Sequence, residues 1–404
     1  MKKTILAYLA VFFVTLFVYF AVGTKFTFQP KWQLDYFNLM AKSLQEGRLD
    51  IVNSGTTYDL VLYKDKWYAP WGPLPAILLI PPQIALGRFV PAFYLSILFA
   101  SFNTVILYAL LRRLSREFFP ISTAAALLFT ALYAFGTTQF YVGTLGGPWH
   151  VDQMVSSFLA ISGIFIIFKK KRKTSDYVLS TVLFSVALLG RPTIIMLMTL
   201  PFFLYVWEFF FEKKKQDKKK ALLRMLLIFG VPGVLFSLLF FLYNYARFEH
   251  PLEYGYSYIR ESAYLEGIRE KSGTLSLSYI PYNLWYMLFE IPRISLSDRQ
   301  FVFNFNLLGN SIFFLTLPFF AVFLAPIRNR YVLFLSLSTI ITILPSLMIY
   351  STGWVQFGYR YSLDITVLLI LLTLFGMKGK INVLFILGAI VSILLYLWGI
   401  FTLM

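Results

Sequence analysis

The chain has no cysteine, only two histidines and little charge, and these scarcities set its class before any motif is considered. Without Cys there is no disulfide, no thiolate metal site and no cysteine nucleophile. Charged residues occupy 14% of the 404 positions, where a soluble chain carries about 25%. Apolar residues fill the difference. They make up 58% of the chain, mean hydropathy is +0.70, and there are 44 Phe, 26 Tyr and 8 Trp. Such a composition suits packing against lipid, with aromatics at the membrane interfaces. It implies an all-α polytopic membrane protein, read as one integral membrane domain over 1–404.

The charge that exists is lopsided, with 36 Lys and Arg against 19 Asp and Glu and a net charge of +17. A nucleic-acid partner does not follow, because no basic, aromatic-studded soluble stretch is there to carry it. Instead the basic residues form short clusters between apolar runs: Lys2-Lys3, Arg112-Arg113 with Arg116, Lys169 to Lys173, Lys213 to Lys215 with Lys218 to Lys220, Arg328 with Arg330, and Lys378 with Lys380. This is the positive-inside pattern.

Apolar runs long enough to span lie at about 4–22, 89–111, 119–137, 150–168, 193–211, 225–245, 307–325, 331–350 and 381–403, with shorter ones at 74–87, 177–190 and 363–377. Placing every basic cluster in the cytoplasm requires 177–190 and 363–377 to cross and 74–87 not to. That gives 11 transmembrane helices, with the N-terminus cytoplasmic. The 4–22 run reads as a retained first helix, since it is long enough to span and no small-x-small cleavage site follows. Segment 74–87 is short and carries Pro81-Pro82, which should break a helix, so it is expected to be re-entrant or to lie on the surface. No internal repeat of the inverted-topology kind is visible.

Two long polar segments remain, and both fall outside the cell in this topology: a first loop over 23–88 and a second over 246–306. In the first, Leu34, Phe37, Met40, Ala41 and Leu44 recur at helical spacing, with Asp35, Asn38, Lys42 and Gln45 on the other face and Gly47 as a C-cap. Asp35 heads this amphipathic helix, either as a capping carboxylate or as a functional one. Next comes the rigid run Tyr63 to Pro75, containing Tyr68, Pro70 and Trp71. His150 and Asp152 stand at the start of the 150–168 span, too close in sequence to share a helix face. Arg191, Arg247 and Arg360 lie at outer helix ends, where a guanidinium can clamp a phosphate.

These features together resemble the GT-C glycosyltransferases. The helix has the form D-x-x-x-x-x-A-x-S-L-x-x-G from Asp35 to Gly47, and the Tyr68-Ala-Pro70-Trp-Gly-Pro73 loop leads into a short helix. Leu189-Gly-Arg-Pro-Thr193, Asn244-Tyr-Ala-Arg-Phe248 and Phe357-Gly-Tyr-Arg-Tyr361 are similar to motifs of the bacterial branch akin to protein O-mannosyltransferases and lipid A aminoarabinose transferases. The resemblance implies a cell-membrane enzyme that takes sugar from a polyprenyl-phosphate donor to a hydroxyl of a glycan, lipid or protein, with inversion. Asp35 matches the family's catalytic base. Arg191, Arg247 and Arg360 would bind the donor phosphate, and Tyr68, Pro70, Trp71, His150, Asp152 and Tyr359 would line the pocket. Tyr36 stands where many relatives have a second acid, so a divalent cation is possible but no chain ligand set demands one. The large soluble C-terminal domain of the oligosaccharyltransferases is not expected. A transporter or flippase of a lipid-linked saccharide is the main rival, but it calls for ionisable residues at helix midpoints. An O-antigen ligase or polymerase-like enzyme and a non-catalytic scaffold are the others.

Overall fold

A computed structural model describes residues 2–30, 34–212, 217–297, 300–353 and 355–403. Among them are seven helices long and apolar enough to cross a membrane, or eight if one bent pair counts as a single span. The long ones include α1 (Lys2–Gly23), α4 (Ala92–Glu117) and α7 (Pro148–Ile167). Further along are Pro192–Glu212, Lys218–Phe248, Arg330–Leu347 and Val383–Leu403. The bent pair is α5 (Thr123–Phe135) and α6 (Thr138–Thr144), at 52°. The chain divides into two compact units.

One unit comprises Met1–Thr15, Thr104–Thr144 and Gly267–Met404. Its centre is the Leu363–Gly376 helix, buried from Leu363 through Phe375. A helix apolar on every side needs neighbours on every side. Here they are the Arg330–Leu347 helix, α5, α6 and the 3₁₀ stretch Leu317–Leu324. The 307–325 run is not one continuous helix. A single turn, Ile312–Leu315, stops at Thr316, whose φ of −124° and ψ of 76° leave the helical region, and the chain resumes as 3₁₀. In lipid each unmet backbone group costs several kcal/mol, and both freed groups here are met. Thr316 Oγ1 donates to the Gly136 carbonyl at the α5–α6 bend (2.8 Å), and the Leu317 N–H donates to Ser392 Oγ (3.0 Å). The bend at Gly136 is thus met by the other broken segment, and the break at Thr316 by Ser392 of the Val383–Leu403 helix.

The other unit comprises Leu16–Asn103 and Leu145–Glu266. Here α2 (Tyr36–Gln45) packs on α3 (Leu74–Leu86), α3 on α7, and α7 on α8 (Thr174–Ala187). The expected helix break at Pro81-Pro82 does not occur. Both prolines lie inside α3, which runs on to Gly87, a left-handed C-cap at φ 63°. Packing against α2 overrides local propensity, and Gln83, the next residue, is bonded to α2. The start of the Tyr63 to Pro75 run folds as one arm and the turn of a hairpin, β1 (Val61–Tyr63) paired with β2 (Lys66–Tyr68). Its turn residues Lys64 and Asp65 both have positive φ, 47° and 60°, the twist that a two-residue hairpin turn requires. Lys64 is a poor signal of such a turn, which hid it in the sequence. A second hairpin, Arg293–Ser297 with Gln300–Asn304, stands in the other unit.

Candidate active site

The amphipathic helix forms as its periodicity demands, with Tyr36, Phe37, Met40 and Ala41 buried. Asp35 sits at its N-cap position, yet its side chain makes no capping hydrogen bond to the α2 backbone. Oδ2 instead accepts from the Ala92 N–H (3.0 Å), at the start of α4, and from Asn38 Nδ2 (2.7 Å). The capping alternative therefore holds for a different helix from the one expected. Asp35 Oδ1 is buried and has no partner among the described residues. Burial raises this carboxyl from 3.8 to about 6, against the lowering effect of its bonds to Ala92 and Asn38. Asn38 was expected on the solvent-facing side of α2, but it is fully buried, because α3 covers that side.

The loop after β2 is locked in by two close approaches. A Cβ at Gly72 would fall 2.0 Å from the Leu189 carbonyl oxygen, and one at Gly190 would fall 2.4 Å from Ser156 Oγ and 2.9 Å from Asp152 Oδ1. The Leu74 N–H donates to that same Leu189 carbonyl (3.2 Å). Trp71 stacks on Tyr36 (5.8 Å, 18°) and meets Trp149 edge-on (5.7 Å, 86°). Tyr68 and Pro70 are buried beside it, as are His150 and Asp152 at the head of α7. Arg191 is half-buried and opens the 3₁₀ turn at Pro192.

Arg247, in the last turn of its helix, is 2% exposed. Its Nη1 donates to the Ala69 carbonyl in the loop, and Nη2 donates to Asn244 Oδ1 (2.8 Å). Its guanidinium lies over the Tyr243 ring at 3.9 Å. Nε has no partner, and no carboxylate pairs with this cation among the described residues. Asp35, Tyr68, Pro70, Trp71, His150, Asp152, Arg191 and Arg247 all belong to this one unit.

Tyr359 and Arg360 belong to the other unit. There Tyr359 Oη donates to Asn283 Oδ1 (3.1 Å), and the Arg360 N–H donates to Gln356 Oε1 (2.9 Å). A Cβ at Gly353 would lie 2.7 Å from Arg360 Nε, so this turn too is closely fitted. Among the described residues no three His, Asp or Glu side chains come together in a way that could hold a metal ion. The contributions of Asn38, Gln83, Gly72 and Ser156 escaped the sequence reading. Only Asn38, three residues after Asp35, carried a signal that could have revealed it.

No protein-family profile and no curated protein matches the chain. Solved structures do match it. The crystal structure of the Archaeoglobus fulgidus oligosaccharyltransferase in the apo form aligns with a TM-score of 0.53 and 13% identity, covering 98% of this chain and 55% of that one. ArnT from Cupriavidus metallidurans, bound to undecaprenyl phosphate, aligns at 0.50 and 12%, covering 95% and 61%. The chain therefore spans little more than half the length of these proteins. The likeness is one of fold alone, that of a polytopic helical membrane protein.

Proposed function

We propose that this protein is a membrane glycosyltransferase, moving a sugar from a polyprenyl-phosphate donor to an acceptor hydroxyl, with Asp35 as general base. The observation that carries the proposal is the Asp35 carboxylate, which has one oxygen held by two N–H donors and the other buried without a partner. A group raised to about 6 is ionised at neutral pH yet close enough to it to accept a proton, as a general base requires. In the proposed step the acceptor O–H gives its proton to Asp35 Oδ1 as its oxygen bonds to the anomeric carbon. The bond from that carbon to the phosphate oxygen breaks, and polyprenyl phosphate leaves with the electron pair.

The departing phosphate needs positive charge. Arg247, buried without a carboxylate partner among the described residues, and Arg191 at the adjoining turn are proposed to supply it. ArnT, bound to undecaprenyl phosphate in its structure, supports this donor class. Tyr68, Pro70, Trp71, His150 and Asp152 are proposed as pocket residues, with a glycan, lipid or protein as acceptor.

The deciding experiment is reconstitution in liposomes with a polyprenyl-phosphate sugar and measurement of polyprenyl phosphate released. Wild type should release it, and Asp35→Asn should bind donor but turn over 10²–10⁴-fold more slowly, about the worth of a positioned base. An Asp35→Asn protein working at the wild-type rate would remove Asp35 from the mechanism. Movement of intact donor across the bilayer without release would favour a flippase.

The proposed topology is 11 crossings, with the N-terminus cytoplasmic and loops 23–88 and 246–306 outside. It adds Thr174–Ala187, the broken segment 312–324 and Leu363–Gly376 to the eight spans above. Helix α3 is placed on the outer side because a crossing there would turn every later basic cluster outward, against the positive-inside pattern. A single Cys introduced beside Arg113 or Lys171 should resist labelling from outside the cell, and labelling there would sink this topology.

A further inference from the structure

We infer that Asn38 is a positioning residue for Asp35, held in one orientation by a one-way chain of side-chain amides that ends on the carboxylate. The catalytic meaning of this rests on the role proposed for Asp35, but its geometry does not. The chain starts where Gln45 Nε2 donates to the Ala41 carbonyl (3.1 Å) and to Gln83 Oε1 (2.8 Å). A backbone carbonyl can only accept, so the nitrogen end of Gln45 is fixed. Gln83 Nε2 then donates to the Asn38 carbonyl (3.1 Å) and to Asn38 Oδ1 (2.6 Å). The backbone carbonyl fixes Gln83 a second time, independently of Gln45.

Asn38 is the last link. Its Nδ2 donates to the Val90 carbonyl and to Asp35 Oδ2, both at 2.7 Å, while Oδ1 also accepts from the Val90 N–H (3.3 Å). Both donors and both acceptor sites of the amide are thus used. Flipping it would face oxygen to oxygen at Val90 and Asp35, and N–H to N–H at Gln83 and Val90. The orientation is therefore settled by the surroundings, and an N–H always points at Asp35 Oδ2. This directs Oδ2 to structure and leaves Oδ1 for a substrate.

The groups acting on the carboxylate come from three elements. From α2 there is the Asn38 amide, from α4 the Ala92 N–H, and from α3 only Gln83, uncharged and one step removed. Among the described residues no cation acts on Asp35.

The test reads Asp35 directly, by infrared spectroscopy of its carboxyl group in the purified full-length protein across pH, with Asp35→Asn as the subtraction control. Wild type should titrate near pH 6. Asn38→Ala removes a charge-assisted donor and should move the midpoint up by about one pH unit. Gln83→Met leaves Asn38 and its Val90 contacts in place but removes the donor to Asn38 Oδ1, which loosens the amide, so its shift should be upward and smaller. If Asn38→Ala does not fold, Gln83→Met decides. Folded variants titrating with wild type overturn the inference, whatever the transfer assay gives. A shifted titration in a protein whose Asp35→Asn variant still transfers sugar keeps the inference about Asn38 and ends the catalytic proposal instead.

Discussion

Two carboxylates of the same unit, Glu208 buried and Asp35 half-buried, are treated in opposite ways. Glu208, in the Pro192–Glu212 helix, accepts at Oε2 from Tyr177 Oη (2.8 Å) and faces Arg172 Nε at 3.3 Å. The Arg172 and Glu208 side chains are 4% and 11% exposed, and Arg172 also donates to the Lys169 carbonyl. Among the described residues Asp35 is held by amides alone, with no cation acting on it and one oxygen left over. Burying a charge is costly unless it is paired and hydrogen-bonded. Glu208 meets that condition and serves architecture. Asp35 meets half of it, and a perturbed acid that the fold has not neutralised is a candidate for chemistry.

If that contrast is right, removing each charge should harm a different property. Asp35→Asn has the largest expected effect, the 10²–10⁴-fold loss of turnover described above, without loss of stability. The sign follows from the direction of the shift. The folded carboxyl titrates at about 6, above its ordinary 3.8, so the folded state binds this proton more tightly than the unfolded state does. Relative to acid pH, stability falls as pH rises between those values, by about 3 kcal/mol once both are passed. Asn carries no such penalty. Thermal unfolding in detergent at pH 7.5 should therefore find Asp35→Asn as stable as wild type or more so, with any advantage shrinking toward pH 4. A large drop in Tm at pH 7.5 would make Asp35 architectural after all.

Arg172→Leu should do the reverse. It leaves Glu208 buried beside Tyr177 without its cation, a loss on the order of 3–5 kcal/mol, while the protein that remains folded should transfer sugar at close to the wild-type rate. The double change Arg172→Met with Glu208→Leu should recover most of the lost stability, since removing both charges leaves neither unpaired. A double variant as unstable as Arg172→Leu would show that the pair is not what matters there.

How far each carboxylate could be read from the sequence also differs. The long apolar runs, the amphipathic helix after Asp35 and the arginines at helix ends all rest on period and composition, which are local properties. The folded site rests on contacts distant in sequence. Asp35 meets Ala92, Gln83 meets Asn38, and Arg247 meets Ala69, and no period announces such pairs. Pro81-Pro82 misled because packing on α2 outweighed a local rule. Glu208 drew no attention at all, since its partners Arg172 and Tyr177 precede it by a whole helix, and Arg172 reads as one more member of a basic cluster.

The smallest effects expected come from the glycines that hold the loop, and they sharpen the comparison by separating backbone from side-chain constraint. At Gly72 the added methyl would meet a backbone carbonyl at 2.0 Å. No rotamer can relieve that clash, so the loop bearing Tyr68 and Trp71 must move off the Leu189–Gly190 turn. Gly72→Ala should cost about 1–3 kcal/mol, as overpacking does, and should reduce turnover as well, because Trp71 stacks on the residue next to Asp35. At Gly190 the methyl meets Ser156 Oγ and Asp152 Oδ1, which are side-chain atoms. Ser156→Ala removes the nearer of them, so stability lost in Gly190→Ala should return in part in the double variant. No second-site change of that kind is available for Gly72. Equal losses in the two single variants, with no recovery in the double, would mean that the turn rather than the loop is the rigid element against which Asp35 is held.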